Sequence, residues 1–165
     1  MIILDGNKAS NDLLKKLPSR IAFLKSKNVI PSIAVILAND SIESMTYIQM
    51  KKKACEKLGI NFNLYNYYQS NQSEILSLIK KLNESINYHA IFVQLPLPKG
   101  FDKNKILSSI DPNKDIDGLH PLNLGKLFQN NNINFIPCTP RGCMDLLDYY
   151  KINVKSKNIV IVGSS

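Results

Sequence analysis

The sequence predicts an α/β fold built on a mostly parallel sheet, and three observations carry that reading. Short apolar runs at 33–38, 63–67, 89–95 and 158–162 alternate with longer stretches of helical periodicity, the order expected of strands crossed by helices. Apolar residues make up 44% of the chain and charged residues 21%, the composition of a globular protein and not of a disordered one. The 165 residues allow one complete core and part of a second, but not two full domains.

The opening MIILDGNKAS holds an apolar run of three residues after Met1, too short for a secretion signal and without a basic lead. A first helix carries Leu13, Leu14, Leu17, Ile21 and Leu24 on one stripe; Pro18 inside it removes a backbone donor, so a kink or break is expected there. A second helix is expected from near Asp40, where Asp40 and Glu43 have capping-box spacing, to Gly59, which suits a left-handed end. A third, over 73–83, precedes the strand HAIFVQL. A short fourth, over 103–109, precedes the loop DPNKDIDGLHP, whose length points to function. A helix over 139–150 then leads through a Lys and Asn connector into NIVIVGSS, read as a buried strand entering a Gly/Ser turn.

Several function classes are disfavoured by composition. The net charge of +8 would attract polyanions, yet Arg20 and Arg141 are the only arginines, and aromatic and basic residues do not interleave as in base-gripping surfaces. Nucleic acid is not an expected partner. No apolar run approaches the roughly 20 residues that span a bilayer, so a soluble, cytoplasmic protein without a membrane partner is expected. Cys55, Cys138 and Cys143 form neither an even set nor a CxxC pair, which argues for reduced thiols over a disulfide framework or a zinc site.

Three short segments carry polar groups where chemistry needs them. In SMTYIQMKKKACEKLG, Tyr47 and Lys51 are four apart and share a helical face; they either line one pocket or belong to an ordinary amphipathic helix with a solvated lysine run. In FVQLPLP, Gln94 ends an apolar strand that two prolines then terminate. The carboxyl end of a parallel strand faces the ligand crevice, so Gln94 either bonds a ligand or the Lys51 amine there, or faces water. In PNKDIDGLHPLNLGKL, Asp115, Asp117, Gly118 and His120 crowd into a turn-forming loop. The further acidic ligands of a calcium loop are missing, so no metal is expected. His120 reads as a hydrogen-bonded structural residue and His89 as the start of a strand.

Taken together, Ser44-x-x-Tyr47-x-x-x-Lys51, then Val93-Gln94-Leu95-Pro96-Leu97-Pro98, then Lys114-Asp115-Ile116-Asp117-Gly118 with His120-Pro121, then Pro137-Cys138-Thr139-Pro140 with Gly142, closely resemble the methylenetetrahydrofolate dehydrogenase/cyclohydrolase family in order and spacing. The resemblance runs from about Asp5 to the end of the chain. It implies a three-layer folate-binding catalytic domain over 1–137, followed over 138–165 by a linking helix and the first strand of an incomplete Rossmann-like domain. It also implies oxidation of 5,10-methylenetetrahydrofolate with NADP or NAD, hydrolysis of the methenyl product to 10-formyltetrahydrofolate, and a homodimer at full length. A non-catalytic folate-binding or regulatory module is the alternative.

Carried onto matching positions, the resemblance makes Lys51 the catalytic amine, with Gln94 tuning it and Tyr47 stacking on or orienting the folate. Asp117 would anchor the pterin, beside Leu95 and Pro96, while Thr139, Gly163, Ser164 and Ser165 would face the cofactor. Two departures stand out. Where many members have Gly-Arg-Ser this chain has Gly163-Ser164-Ser165, leaving NADP and NAD open, and Asn83-Glu84-Ser85 replaces a more usual Asn-x-Asp or Asn-x-Asn. Residues 1–165 alone are expected to lack dehydrogenase turnover and to hydrolyse weakly at best.

Overall fold

Both faces of the central strand are covered, and that one fact sets the architecture. In the computed structural model, which describes residues 3–163, three parallel strands, β1 (Ser32–Leu37), β2 (Asn61–Asn66) and β3 (Ala90–Gln94), lie in the order β2-β1-β3. Side chains alternate along a strand. Ala34 and Ile36 of β1 therefore join Ile91 and Val93 of β3 on one face, under Ile75, Ile79 and Leu82 of α4 (Gln72–Glu84) and Ile106 and Leu107 of α5 (Lys103–Ser108). Val35, Leu37 and Phe92 take the other face, against Ile48 of α3 (Ile42–Leu58). This is a three-layer α/β/α arrangement. It explains why the SIAVIL run of β1 shows no polar alternation. Leu37 is in register with both Asn66 and Gln94, so the carboxyl ends of all three strands meet at one edge.

The break expected at Pro18 is real. The first helical region divides into α1 (Gly6–Leu14) and α2 (Leu17–Ser26), with Pro18 in the first turn of α2, where its missing N–H has no intrahelical partner to lose. The start of α3 differs from expectation by one residue. Its cap is Ser41, whose hydroxyl accepts from Ser44 N at 3.1 Å, and not Asp40. Ser41 is held in place because its own N–H donates to Asn39 Oδ1 at 3.1 Å. The far end of α3 closes as expected on Gly59, at φ +72°. A capping box of Asn71 and Glu74 opens α4.

The segment after β3 docks back on the sheet. Ile91 N donates to Lys114 O at 2.8 Å, and a parallel bridge pairs Ile91 with Asp115, which sends residues 116–118 in the direction of Gln94. Lys114 anchors this segment: its ammonium donates to the carbonyls of Leu82, Asn83 and Ser85 at 2.7–2.9 Å, closing the carboxyl end of α4. A further helix, α6 (Pro121–Phe128), follows where no helix was expected. It is short, opens on proline, and is capped by the His120 ring, which accepts from Leu122 N at 3.0 Å. α7 (Cys138–Tyr149) lies close to its expected place and is fastened to α1 at its end. There Tyr149 donates to Asp12 at 2.5 Å and Tyr150 accepts from Asp5 N at 2.9 Å.

One expected element is absent. Residues 158–162 form no strand among the described residues, and Ile159, Val160, Ile161 and Val162 are 59–95% exposed instead of buried. A strand is stable only in a ladder, and no described strand lies beside this one to supply the pairing. Among the described residues no helix is long and apolar enough to cross a membrane, and the three cysteines are unpaired thiols.

Replacing Lys114 with Met keeps its stem and removes three charge-assisted bonds to the end of α4. The expected loss is about 2 kcal/mol of unfolding free energy, read as a lower urea midpoint at unchanged slope.

Candidate active site

The site grows from the carboxyl edge of the sheet. Phe92 and Gln94 are two apart on β3 and so face the same side, the one covered by α3. α3 carries Lys51 across that face. Its ammonium lies 3.6 Å from the centroid of the Phe92 ring and donates to Gln94 Oε1 at 3.2 Å. The other end of the same amide donates from Nε2 to Leu95 O at 2.6 Å. That second bond fixes the amide so that its oxygen, and not its nitrogen, meets the lysine. Gln94 is only 9% exposed, so of the two readings left open by sequence, the water-facing one does not hold.

Asn39, which sequence reasoning passed over, ties the neighbouring chain together. It donates to Pro96 O at 2.6 Å, beside the cis Leu95–Pro96 peptide, while accepting from Ser41 N. One side chain thus joins the exit of β1, the start of α3 and the turn after β3. Its only signal in the sequence is a position between an apolar strand and a helix cap.

The third group comes from the loop. Asp115 and Asp117 are two apart, yet they do different things. Asp115 is 2% exposed and turned inward, accepting from Leu119 N at 3.3 Å, His120 N at 2.9 Å and Asn123 Nδ2 at 2.8 Å. Asn123 also donates to Pro112 O at 2.9 Å, and its Oδ1 is buried without a partner. Asp117 is half-buried and looks the other way, toward Lys51 and the thiol of Cys138. Gly118 makes this close approach feasible: at φ +69°, a Cβ there would stand 2.8 Å from Pro137 N and 2.9 Å from Ile136 C. Only glycine lets the chain before α7 lie against the loop.

Burial sets the electrostatics. It pulls the Lys51 ammonium below the ordinary lysine range, opposed chiefly by the Asp117 charge. It pushes the Asp117 carboxyl up, opposed by the neighbouring Cys138 thiol and by the Lys51 charge, with Asp115 adding to the rise. The Cys138 thiol is also pushed up, first by burial and then by Asp117. An amine shifted toward its neutral form beside an amide and a carboxylate can exchange protons with a bound molecule nearer neutrality than a free lysine can.

The structure therefore brings Lys51, Gln94 and Asp117 to one place, with Leu95 and Pro96 continuing from Gln94. Tyr47 stands one helical turn before Lys51, 60% exposed, with its ring free to stack. Thr139 follows Cys138 in the first turn of α7 with an exposed side chain. Gly163 lies in the exposed tail at φ +122°, and no hydrogen bond among the described residues links it to this cluster; Ser164 and Ser165 fall outside the described residues. Among the described residues no three His, Cys, Asp or Glu side chains gather to hold a metal. Two cavities of about 580 and 610 Å³ lie elsewhere, between α1, α2 and α7 and between α1, α2 and α3. Neither holds a desolvated lysine facing a carboxylate, so chemistry rather than volume selects the Lys51 cleft.

Comparison with known proteins agrees in sequence and in shape. The family model described as tetrahydrofolate dehydrogenase/cyclohydrolase, catalytic domain, matches residues 4–117. The bifunctional protein FolD of Nautilia profundicola is 43% identical over 166 residues, covering 100% of this chain and 58% of the relative. The crystal structure of the bifunctional enzyme FolD, a methylenetetrahydrofolate dehydrogenase/cyclohydrolase, from Campylobacter jejuni superposes with a TM-score of 0.96 at 43% identity, over 100% of this chain and 59% of that one. The Trypanosoma brucei methylenetetrahydrofolate dehydrogenase-cyclohydrolase, solved with NADP cofactor and an inhibitor, gives 0.88 at 31% identity over 94% and 54%. This chain thus spans less than two thirds of the length of these relatives.

The two loop acids separate by mutation. Asp115→Ala strands two backbone donors and the Asn123 amide, so it should cost about 2–4 kcal/mol in urea unfolding. Asp117→Ala removes a desolvated charge that holds up no backbone, and should cost under about 1 kcal/mol.

Proposed function

The chain belongs to the tetrahydrofolate dehydrogenase/cyclohydrolase family, and we propose that it is the folate-binding catalytic domain, over 1–137, of a bifunctional enzyme. That enzyme oxidises 5,10-methylenetetrahydrofolate with NADP or NAD and hydrolyses the methenyl product to 10-formyltetrahydrofolate. The observation that carries the proposal is the Lys51 ammonium held between the Phe92 ring and Gln94 Oε1, on the same cleft as Asp117. As a whole protein it would act as a cytoplasmic homodimer on folate small molecules.

Hydrolysis follows from these groups. The methenyl carbon is part of a cationic amidinium, and water attacking it must lose a proton as the new C–O bond forms. Lys51 in its neutral form accepts that proton, and the ammonium it becomes is met by Gln94 Oε1 and the Phe92 face. A cationic substrate beside Lys51 further favours the neutral amine. Asp117 accepts from the amino and ring N–H groups of the pterin, which rejects molecules lacking those donors. The Tyr47 ring stacks on the folate, and Leu95 and Pro96 wall the cleft. The Lys51 ammonium then returns its proton to N5 as the adduct's hydroxyl loses its own to solvent and the C–N5 bond opens, which gives the 10-formyl product.

Hydride transfer needs a dinucleotide cradle, which a strand, a Gly-rich turn and a helix N-terminus supply. The described residues do not fit it. Residues 158–162 form no strand and Gly163 ends in exposed chain. Thr139, Gly163, Ser164 and Ser165 are proposed as cofactor contacts of the whole protein only, with 138–165 the linking helix and opening of the second domain.

Lys51→Met tests the reading in the whole protein. Loss of the methenyl chromophore should slow by at least about 100-fold, with folate affinity little changed; equal hydrolysis in both forms would contradict a catalytic lysine. The wild-type rate should rise with pH along a limb lying below the ordinary lysine range, because burial favours the neutral amine. Asp117→Asn removes the charge that opposes this and should move the limb to still lower pH.

A further inference from the structure

We propose that Asn123 is a positioning residue for Asp117: its amide ties two points of the loop together and so holds the turn that presents Asp117 to the pterin. This rests on the folate reading above and adds to it a residue of α6, beyond the residues 4–117 that carry the family match. Asn123 is 1% exposed, and its Nδ2 donates to Pro112 O at 2.9 Å and to Asp115 Oδ2 at 2.8 Å. Both protons of the amide are thereby used inside the loop. Its Oδ1 is buried with no hydrogen-bond partner among the described residues. A stranded acceptor lowers stability, so what the amide supplies is its pair of donors and their direction.

Those donors reach Asp117 through one contiguous set of bonds, and Asp115 is the link. The Asp115 carboxylate accepts from Leu119 N and His120 N as well as from Asn123, and its main-chain oxygen accepts from Gly118 N at 3.2 Å. That last bond closes a turn over 115–118 with Asp117 inside it. Asp115 thus grips the three residues that follow Asp117, while the parallel bridge to Ile91 fixes Asp115 itself on the sheet and sends the turn toward Gln94. No hydrogen bond among the described residues holds the Asp117 side chain, so its aim is set by the turn. Of the donors on the Asp115 carboxylate, Asn123 is the side chain; the other two belong to the backbone that the carboxylate is organising. Without the amide, Asp115 Oδ2 loses its shorter bond and Pro112 O its side-chain partner, and the turn is free to swing Asp117 away from the two N–H groups it must meet together.

The test is a double-mutant cycle in the whole protein. Binding of 5-formyltetrahydrofolate, with KM and kcat for methenyl hydrolysis, is measured for wild type, Asn123→Ala, Asp117→Ala and the pair. Asn123→Ala should raise the folate Kd and KM by about ten-fold, with kcat changed by less than about two-fold because the Lys51 and Gln94 pair lies on other elements. In the Asp117→Ala background the same substitution should change Kd by less than about two-fold, since a residue that acts through another adds nothing once that other is gone. Asn123→Ser, which keeps one donor, should fall between wild type and alanine, and it carries the same cycle should the alanine variant not fold. Equal losses of affinity in the two backgrounds, or no loss in either, overturn the proposal. A drop in thermal stability does not rescue it, because general loosening weakens binding alike with and without Asp117. Failure of the wild type to bind the folate, or of Asp117→Ala to weaken binding, overturns the functional reading and this inference with it, whereas additive losses overturn this inference alone.

Discussion

The site depends on an ammonium laid on the apolar face of a sheet. Lys51 crosses from α3 to rest on Phe92, and two contacts compensate for the water it loses, the π-face below it and one amide oxygen beside it, with the Asp117 charge adding to them. Neither is a full counter-ion in contact. A lysine held this way gives up its proton more readily than a free one, whereas a tight carboxylate pair would hold it as a cation. The rest of the fold holds this compromise still. Leu95 O fixes the amide, Asn39 ties the following turn to the start of α3, and Ile48 with Val35 and Leu37 fills the layer behind.

The loop after β3 solves a second problem, which is how to bring a carboxylate close without burying it unpaired. It does so by dividing labour between two acids of opposite orientation. Asp115 accepts from three protein donors and acts as the internal hub of the loop, and Lys114 beside it seals the end of α4. Asp117, freed from structural duty, is left short of partners in the cleft. A bound pterin edge would supply the hydrogen bonds that the protein withholds.

Much of this was legible because period and position carry it. Alternation along β3 puts Gln94 on the same side as Phe92, and a four-residue step puts Tyr47 and Lys51 on one helical face; both rules are local. Gly59 and Pro18 marked helix ends for steric reasons that tertiary structure did not override. What escaped reading depends on partners distant in sequence or on atypical local chemistry. The cap of α3 moved to Ser41 because Asn39 holds that turn, and α6 was hidden by an unusual histidine cap. Asp115 and Asp117 could not be told apart without Asn123 and Cys138, which lie 8 and 21 residues beyond them respectively. The strand expected over 158–162 has the right composition but no neighbouring ladder, and composition cannot supply one.

The chemistry follows from the convergence of three elements on the Lys51 ammonium. A heteronuclear NMR titration of the chain with 5-formyltetrahydrofolate tests that convergence without recourse to turnover. Amide shifts are expected to concentrate together on residues 47–51, 94–96 and 115–118 and to saturate with a single affinity. Shifts confined to the cavities around α1 and α2, or split among these segments with separate affinities, would contradict it.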